Sequence, residues 1–254
     1  MGSSQSHNKT SPDILDETNP NPIKKLKTKF VLGIIDPQYD LFEGGALGIP
    51  KSNRILAPIN KLRFITWDYM EVFITQNSYP HNHVKFCTTH NSKPFEKSLV
   101  TFNYPDNTET TKLIEMLPPY CVYKTSGEKF HSHLIVLSDD KIFKKGTIKS
   151  VDTHSAFGDE FLGKYENTGL EKWLKSTRIS DIVLTGIMSD LEILNTGIHA
   201  INIGYQVHII LSCVVGFSRD TFDNSINKLI KAGAKVYLTI EEFLEKRGHS
   251  LKLI

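Results

Sequence analysis

Cysteine is scarce in this chain. Cys87, Cys121 and Cys213 are the three in 254 residues, an odd number with no C-x-x-C spacing. Such a set builds no disulfide framework, and with no secretory signal peptide read at the N-terminus the expected compartment is a reducing one. Long apolar runs are missing as well. None approaches the roughly 20 residues needed to span a bilayer, so the chain is expected to be soluble or peripherally attached. Nor is there an excess of one charge: 30 Lys and Arg against 28 Asp and Glu leave a formal +2, which gives no reason to invoke a nucleic-acid partner. What remains, 39% hydrophobic and 23% charged residues, is enough for a substantial core, and one large α/β domain is the simplest account.

The first 29 residues differ in kind from the rest. They are rich in Ser, Asn, Pro and Lys, carry no apolar periodicity, and bury too little surface to offset the entropy of ordering. A flexible polar arm over 1–29 followed by a folded domain over 30–254 is the expected division. Within the arm, Met1-Gly2-Ser3-Ser4-Gln5-Ser6 fits the M-G-x-x-x-[ST] pattern for myristoylation of Gly2, and Lys24, Lys25, Lys27 and Lys29 form a basic cluster. One acyl chain plus basic residues can hold a protein at a membrane, whereas an unmodified polar tail cannot, and the pattern leaves both open.

From Phe30 onward, strand-like runs alternate with helical periodicity. Phe30 to Ile35, Glu71 to Thr75, Asp181 to Thr185, Val207 to Leu211 and Lys235 to Leu238 read as strands, and Arg54 to Met70, Leu191 to Ile203, Thr221 to Lys231 and Ile240 to Lys246 as helices. Gly204 and Gly233 are stop signals. The alternation predicts an α/β three-layer sandwich, a mostly parallel sheet with helices on both faces and ligand sites at the carboxyl ends of the strands.

Those strand ends carry four quotable segments: Ile34-Ile35-Asp36-Pro37-Gln38-Tyr39-Asp40, then Thr75-Gln76-Asn77-Ser78-Tyr79-Pro80-His81-Asn82-His83, then Lys145-Gly146-Thr147 with Val151-Asp152-Thr153-His154, and finally Thr185-Gly186-Ile187-Met188-Ser189-Asp190-Leu191-Glu192. Together, over about residues 30 to 240, they resemble the nicotinamidases and other isochorismatase-like cysteine hydrolases. The resemblance implies that fold. It sets Asp36 at the family's catalytic aspartate, Lys145 at its lysine, and Glu192 where the family keeps its nucleophilic cysteine. Read alone, Asp36 suits a turn cap and Lys144-Lys145 a solvated basic pair; the flanking residues favour the family positions.

The same resemblance tests for a metal. Where the family places an aspartate and histidines as ligands, this chain has Asn77, Tyr79 and Tyr120, and His83 alone matches; His81 and His90 fall at no ligand position. An amide, two phenols and one imidazole make a poor set for zinc or iron. Neither a metal nor any other cofactor is expected. Nor is an oxyanion hole assured, because Met188 stands where a small residue is usual, in a turn commonly strained by a cis peptide equivalent to Ile187-Met188.

A thiolate attacks an acyl carbon by sulfur chemistry that a carboxylate does not supply. Glu192 is therefore expected to pair with Lys145 and Asp36 and to fill the old pocket. The expected function is a catalytically inactive, nicotinamidase-like scaffold, with two alternatives open: a metal-independent hydrolase using Asp36 or Glu192 as general acid or base, and a sensor that holds a nicotinamide-like ring uncleaved. Partners are expected to be an unidentified protein or assembly reached through residues 1–29, a membrane surface, or a second copy of the chain. The expected localisation is cytoplasmic, with acylation to a membrane or placement in a cytoskeletal assembly also open.

Overall fold

The central strand β1, Phe30–Ile35, is buried at every residue because both its faces are covered. Phe30, Leu32 and Ile34 enter one apolar core while Val31 and Ile35 enter a second on the opposite face, the period of two that a pleated strand imposes. A near-continuous apolar run is the signature of a parallel strand covered on both sides. The computed structural model describes residues 29–66, 70–159 and 163–248. Of the arm expected over 1–29, all but Lys29 lies outside the described residues, including Gly2, Lys24, Lys25 and Lys27.

After β1 the order is α1 (Leu56–Thr66), β2 (Met70–Asn77), β3 (Lys97–Asn103), β4 (Glu109–Glu115), β5 (Lys141–Lys145), α2 (Leu170–Thr177), β6 (Asp181–Ile187), α3 (Leu194–Asn202), β7 (Gln206–Val215), α4 (Arg219–Ala232), β8 (Lys235–Tyr237) and α5 (Ile240–Lys246). Six strands form one sheet in the order β5-β2-β1-β6-β7-β8, and every pairing in it is parallel. α1 and α5 supply Ile59, Leu62, Phe243 and Leu244 to the core on one face. α2, α3 and α4 supply Leu174, Ala200 and Leu229 to the core on the other. The result is the α/β three-layer sandwich that the alternation predicts.

Local chemistry sets the ends of α4. The Ser218 hydroxyl accepts from the Thr221 N–H while the Thr221 hydroxyl accepts from the Ser218 N–H, and Gly233 closes the last turn at φ 109°. Elsewhere the observed bounds differ from those expected. The helix expected over Arg54 to Met70 ends at Thr66, and Met70 opens β2. The helix expected from Leu191 begins as a π-helical turn, Ser189–Ile193, before α3 proper. β3 and β4, an antiparallel ribbon, were not foreseen, nor were β5 and α2. Among the described residues no helix is long and apolar enough to cross a membrane.

Strand β6 runs close against the end of β1, with Ile35 opposite Gly186. Gly186 has φ 114°, and a Cβ there would run into the Ile35 carbonyl. Gly186→Ala is therefore expected to lower Tm by roughly 5–10 °C, from backbone strain of about 1–3 kcal/mol with steric overlap added. Calorimetry on the two proteins measures it; an unchanged Tm contradicts this close packing.

Candidate active site

Each residue set at a triad position sits just past a parallel strand's carboxyl end or at it. Asp36 follows β1, Lys145 ends β5, and Glu192 lies in the π-helical turn after β6. Parallel pairing of β2 with β5 places Asn77 opposite Lys145, so two strand ends converge on one point. The approach is backbone-strained: Asp36, Cys121 and Met188 have φ of 48°, 48° and 59°, in the left-handed region that residues with a Cβ rarely adopt. Among the described residues every peptide is trans, Ile187-Met188 included.

Lys145 is the hub. Its Nζ lies 2.6 Å from Glu192 Oε2 and 3.0 Å from Asp36 Oδ2, and all three side chains are fully buried. It also donates to Asn77 Oδ1 at 2.7 Å. The two carboxylates are held differently. Burial pushes the Asp36 carboxyl above its ordinary range, against the pull of Lys145 and aided by repulsion from Glu192. Burial also works to raise Glu192, but the charges of Lys145 and His154 outweigh it and hold Glu192 below the usual value. Asp36 is further fixed by Thr75, whose hydroxyl donates to Oδ1 at 2.5 Å, and by Asn77 Nδ2, which donates to Oδ2 at 2.9 Å. Lys144, the neighbour of Lys145 in sequence, points elsewhere and pairs with Glu128.

Beyond Glu192 the chain of charges continues through three residues that were not singled out as site residues from the sequence. His154 Nδ1 is 3.3 Å from Glu192 Oε1, and its Nε2 is 3.0 Å from Asp152 Oδ2. Asp152 Oδ1 in turn lies 2.6 Å from Lys85 Nζ. Burial opposes protonation of His154, but Asp152 and Glu192 on either side raise it to about 9. Asp152, which burial pushes up, is brought well below the ordinary carboxylate value by His154 and Lys85. Asp36, Lys145, Glu192, His154, Asp152 and Lys85 thus alternate in sign along one string.

The residues at the family's ligand positions are all engaged within the protein. Asn77 Oδ1 accepts from Lys145 and from the Tyr79 hydroxyl. His83 Nε2 faces the Val151 carbonyl at 3.0 Å and so carries the proton; its Nδ1 is left to face the Lys85 N–H. Burial, with Lys85 adding to it, lowers His83 to about 4, so the ring is neutral. The Tyr79 and Tyr120 hydroxyls both face Lys85 Nζ, at 3.1 and 3.3 Å. His81 and His90 lie at the surface. Among the described residues no three His, Cys, Asp or Glu side chains converge as a metal set.

A cavity of about 490 Å³ opens beside this string. Leu47, Ile114, Leu117, Met188 and Phe217 give it apolar walls, and Lys85, Asp152 and His154 give it polar ones. Asp152 and His154 are 22% and 27% exposed, whereas Asp36, Lys145 and Glu192 do not line the cavity at all. The three thiols offer no substitute nucleophile. All are buried, and burial pushes Cys121 well up and Cys213 to about 12, away from the reactive thiolate.

The two histidines set opposite limbs of a pH profile. His154 stays protonated to about 9 when folded, against 6.5 in a free chain, so its stabilisation is complete below 6.5 and is lost as pH rises through 9. His83 stays neutral down to about 4, so the unfolded chain takes up the extra proton between 6.5 and 4 and stability falls on acidification. Urea unfolding across this range is expected to show greatest stability near pH 6.5, with the alkaline limb flattened in His154→Gln. An unchanged alkaline limb in that variant contradicts the assignment.

Comparison with known proteins agrees with this geometry. The Isochorismatase domain family matches residues 30–241. A nicotinamidase of Escherichia coli (strain K12) is 27% identical over 220 residues, covering 85% of this chain and 97% of that protein. One from Saccharomyces cerevisiae is 25% identical over 207 residues, covering 78% and 94%. Among solved structures, the yeast nicotinamidase bound to the inhibitor nicotinaldehyde superposes with a TM-score of 0.74 at 23% identity, covering 82% of this chain and 98% of that one. The Pyrococcus horikoshii pyrazinamidase in complex with zinc gives 0.66 at 20% identity, covering 82% and 98%. The sheet order, the strand-end placement of the charged residues and the matched span make this chain a member of the isochorismatase domain family, similar to nicotinamidases.

Proposed function

We propose that this chain is a catalytically inactive relative of the nicotinamidases that keeps the fold as a structural or interaction scaffold. The observation that carries the reading is the Glu192 carboxylate, fully buried and 2.6 Å from Lys145 Nζ at the position the resemblance gives to the cysteine. A carboxylate so paired is a weak nucleophile, and it neutralises the lysine that in the family serves the aspartate. Tyr79 and Tyr120, both fully buried and packed edge to face, add aromatic mass at two positions the resemblance gives to metal ligands. Docking falls in this reading to residues 1–29, with Gly2 as the candidate acylation site, and to apolar surface such as Leu99 and Leu113. These two pair across β3 and β4 and are 74% and 62% exposed.

A second reading, a metal-independent hydrolase, draws on the opposite shifts of Asp36 and Glu192, since two carboxyl groups pushed apart can serve as acid and base. Ammonia release from nicotinamide separates the two. The scaffold reading expects no release above buffer from the wild-type protein, and the same silence from Asp36→Asn and Glu192→Gln. Turnover that either substitution reduces by about 100-fold or more, the range of general acid–base catalysis, overturns it.

A further inference from the structure

The buried Lys85 ammonium sits between Tyr79 and Tyr120, two of the positions the resemblance gives to metal ligands. Its side chain is 2% exposed, its Nζ lies 3.1 and 3.3 Å from the Tyr79 and Tyr120 hydroxyls, and it stands 4.5 Å above the Tyr79 ring centroid. Both tyrosines occupy positions that the resemblance assigns to histidine ligands. Asp152 supplies the counter-charge at 2.6 Å. Oxygen groups and an aromatic face around a compact point charge are what an ammonium needs.

The donor set does not fit a divalent ion. A ligand must turn a lone pair to the metal, but Asn77 Oδ1 already accepts two hydrogen bonds, and the lone pair on His83 Nδ1 faces the Lys85 backbone N–H. The Tyr79 and Tyr120 hydroxyls both face Lys85 Nζ, and the Tyr79 hydroxyl donates to Asn77 Oδ1. A divalent cation next to this buried ammonium also meets repulsion, and the nearby Asp152 carboxylate is already shared between Lys85 and His154.

We propose that Lys85 is the resident cation of this site, an intramolecular ammonium standing in place of a metal and joined through Asp152 and His154 to Glu192. The inference goes beyond catalytic silence and is read by metal content and Tm, so its failure and that of the scaffold reading are distinguishable. Lys145 and Lys85, with His154 between them, thereby brace the three carboxylates of the string.

The test restores the family's ligands with and without the lysine. Wild type, Asn77→Asp/Tyr79→His/Tyr120→His, and the same triple with Lys85→Ser are dialysed against zinc, and bound zinc and Tm are measured. Zinc at one per chain, with a Tm raised by zinc, is expected only when Lys85 is gone. Zinc held at one per chain by the wild type or by the triple variant overturns the proposal. Should the multiple variants fail to fold, Lys85→Met decides it. Stranding Asp152 beside His154 is expected to lower Tm by roughly 6–12 °C, and an unchanged Tm overturns the proposal.

Discussion

Six charges of alternating sign, linked at 3.0, 2.6, 3.3, 3.0 and 2.6 Å from Asp36 to Lys85, hold the upper edge of this molecule together. Each interior member has an opposite charge on both sides, which is why so much charge tolerates burial. Burying ions is costly, and the cost is offset only when geometry and partners are complete. Removing one interior member therefore exposes two others, and the string behaves as a unit. Ordinary surface ion pairs in the same protein, such as Lys175–Glu171 and Arg219–Asp223, have no such leverage.

The sheet makes the string feasible. Parallel strands end on one edge, and the order β5-β2-β1-β6 brings Lys145, Asn77, Asp36 and the turn bearing Glu192 side by side there. Strained backbone at Asp36, Cys121 and Met188 persists because the neighbouring strands overdetermine it. The edge at which the resemblance sets a catalytic triad thus carries the string of charges. The cavity beside it meets only the His154–Asp152–Lys85 half, and the half matching the family triad is shut away.

Much of this was readable in the chain. β1 and α5 lie at their expected bounds, the first as an unbroken apolar run ended by Asp36-Pro37, the second as a short amphipathic stretch after Thr239. The ribbon was not readable because its apolar residues fall on both faces, Leu99 and Leu113 exposed while Val100 and Phe102 pack in a separate small core. In β5, an edge strand, Lys141, Lys144 and Lys145 mask the pattern, and Lys145 is its one buried residue. Asp36, Lys145 and Glu192 were legible because their flanks carry the family pattern. Lys85 was not: a lone lysine reads as solvated, and its burial needs Tyr120 and Asp152, 35 and 67 residues away. The signal that existed was indirect, a set of phenols and an amide at ligand positions beside carboxylates that still needed a positive charge.

The central claim is that Glu192 and Lys145 form a strongly coupled buried pair that closes the site. A double-mutant cycle with Glu192→Gln and Lys145→Met, read by urea unfolding at pH 6.5, measures it directly. The expected coupling is about 2–3 kcal/mol, because breaking a buried pair leaves a charge uncompensated. Additivity within about 0.5 kcal/mol would contradict the account and leave Glu192 free to act on something other than Lys145.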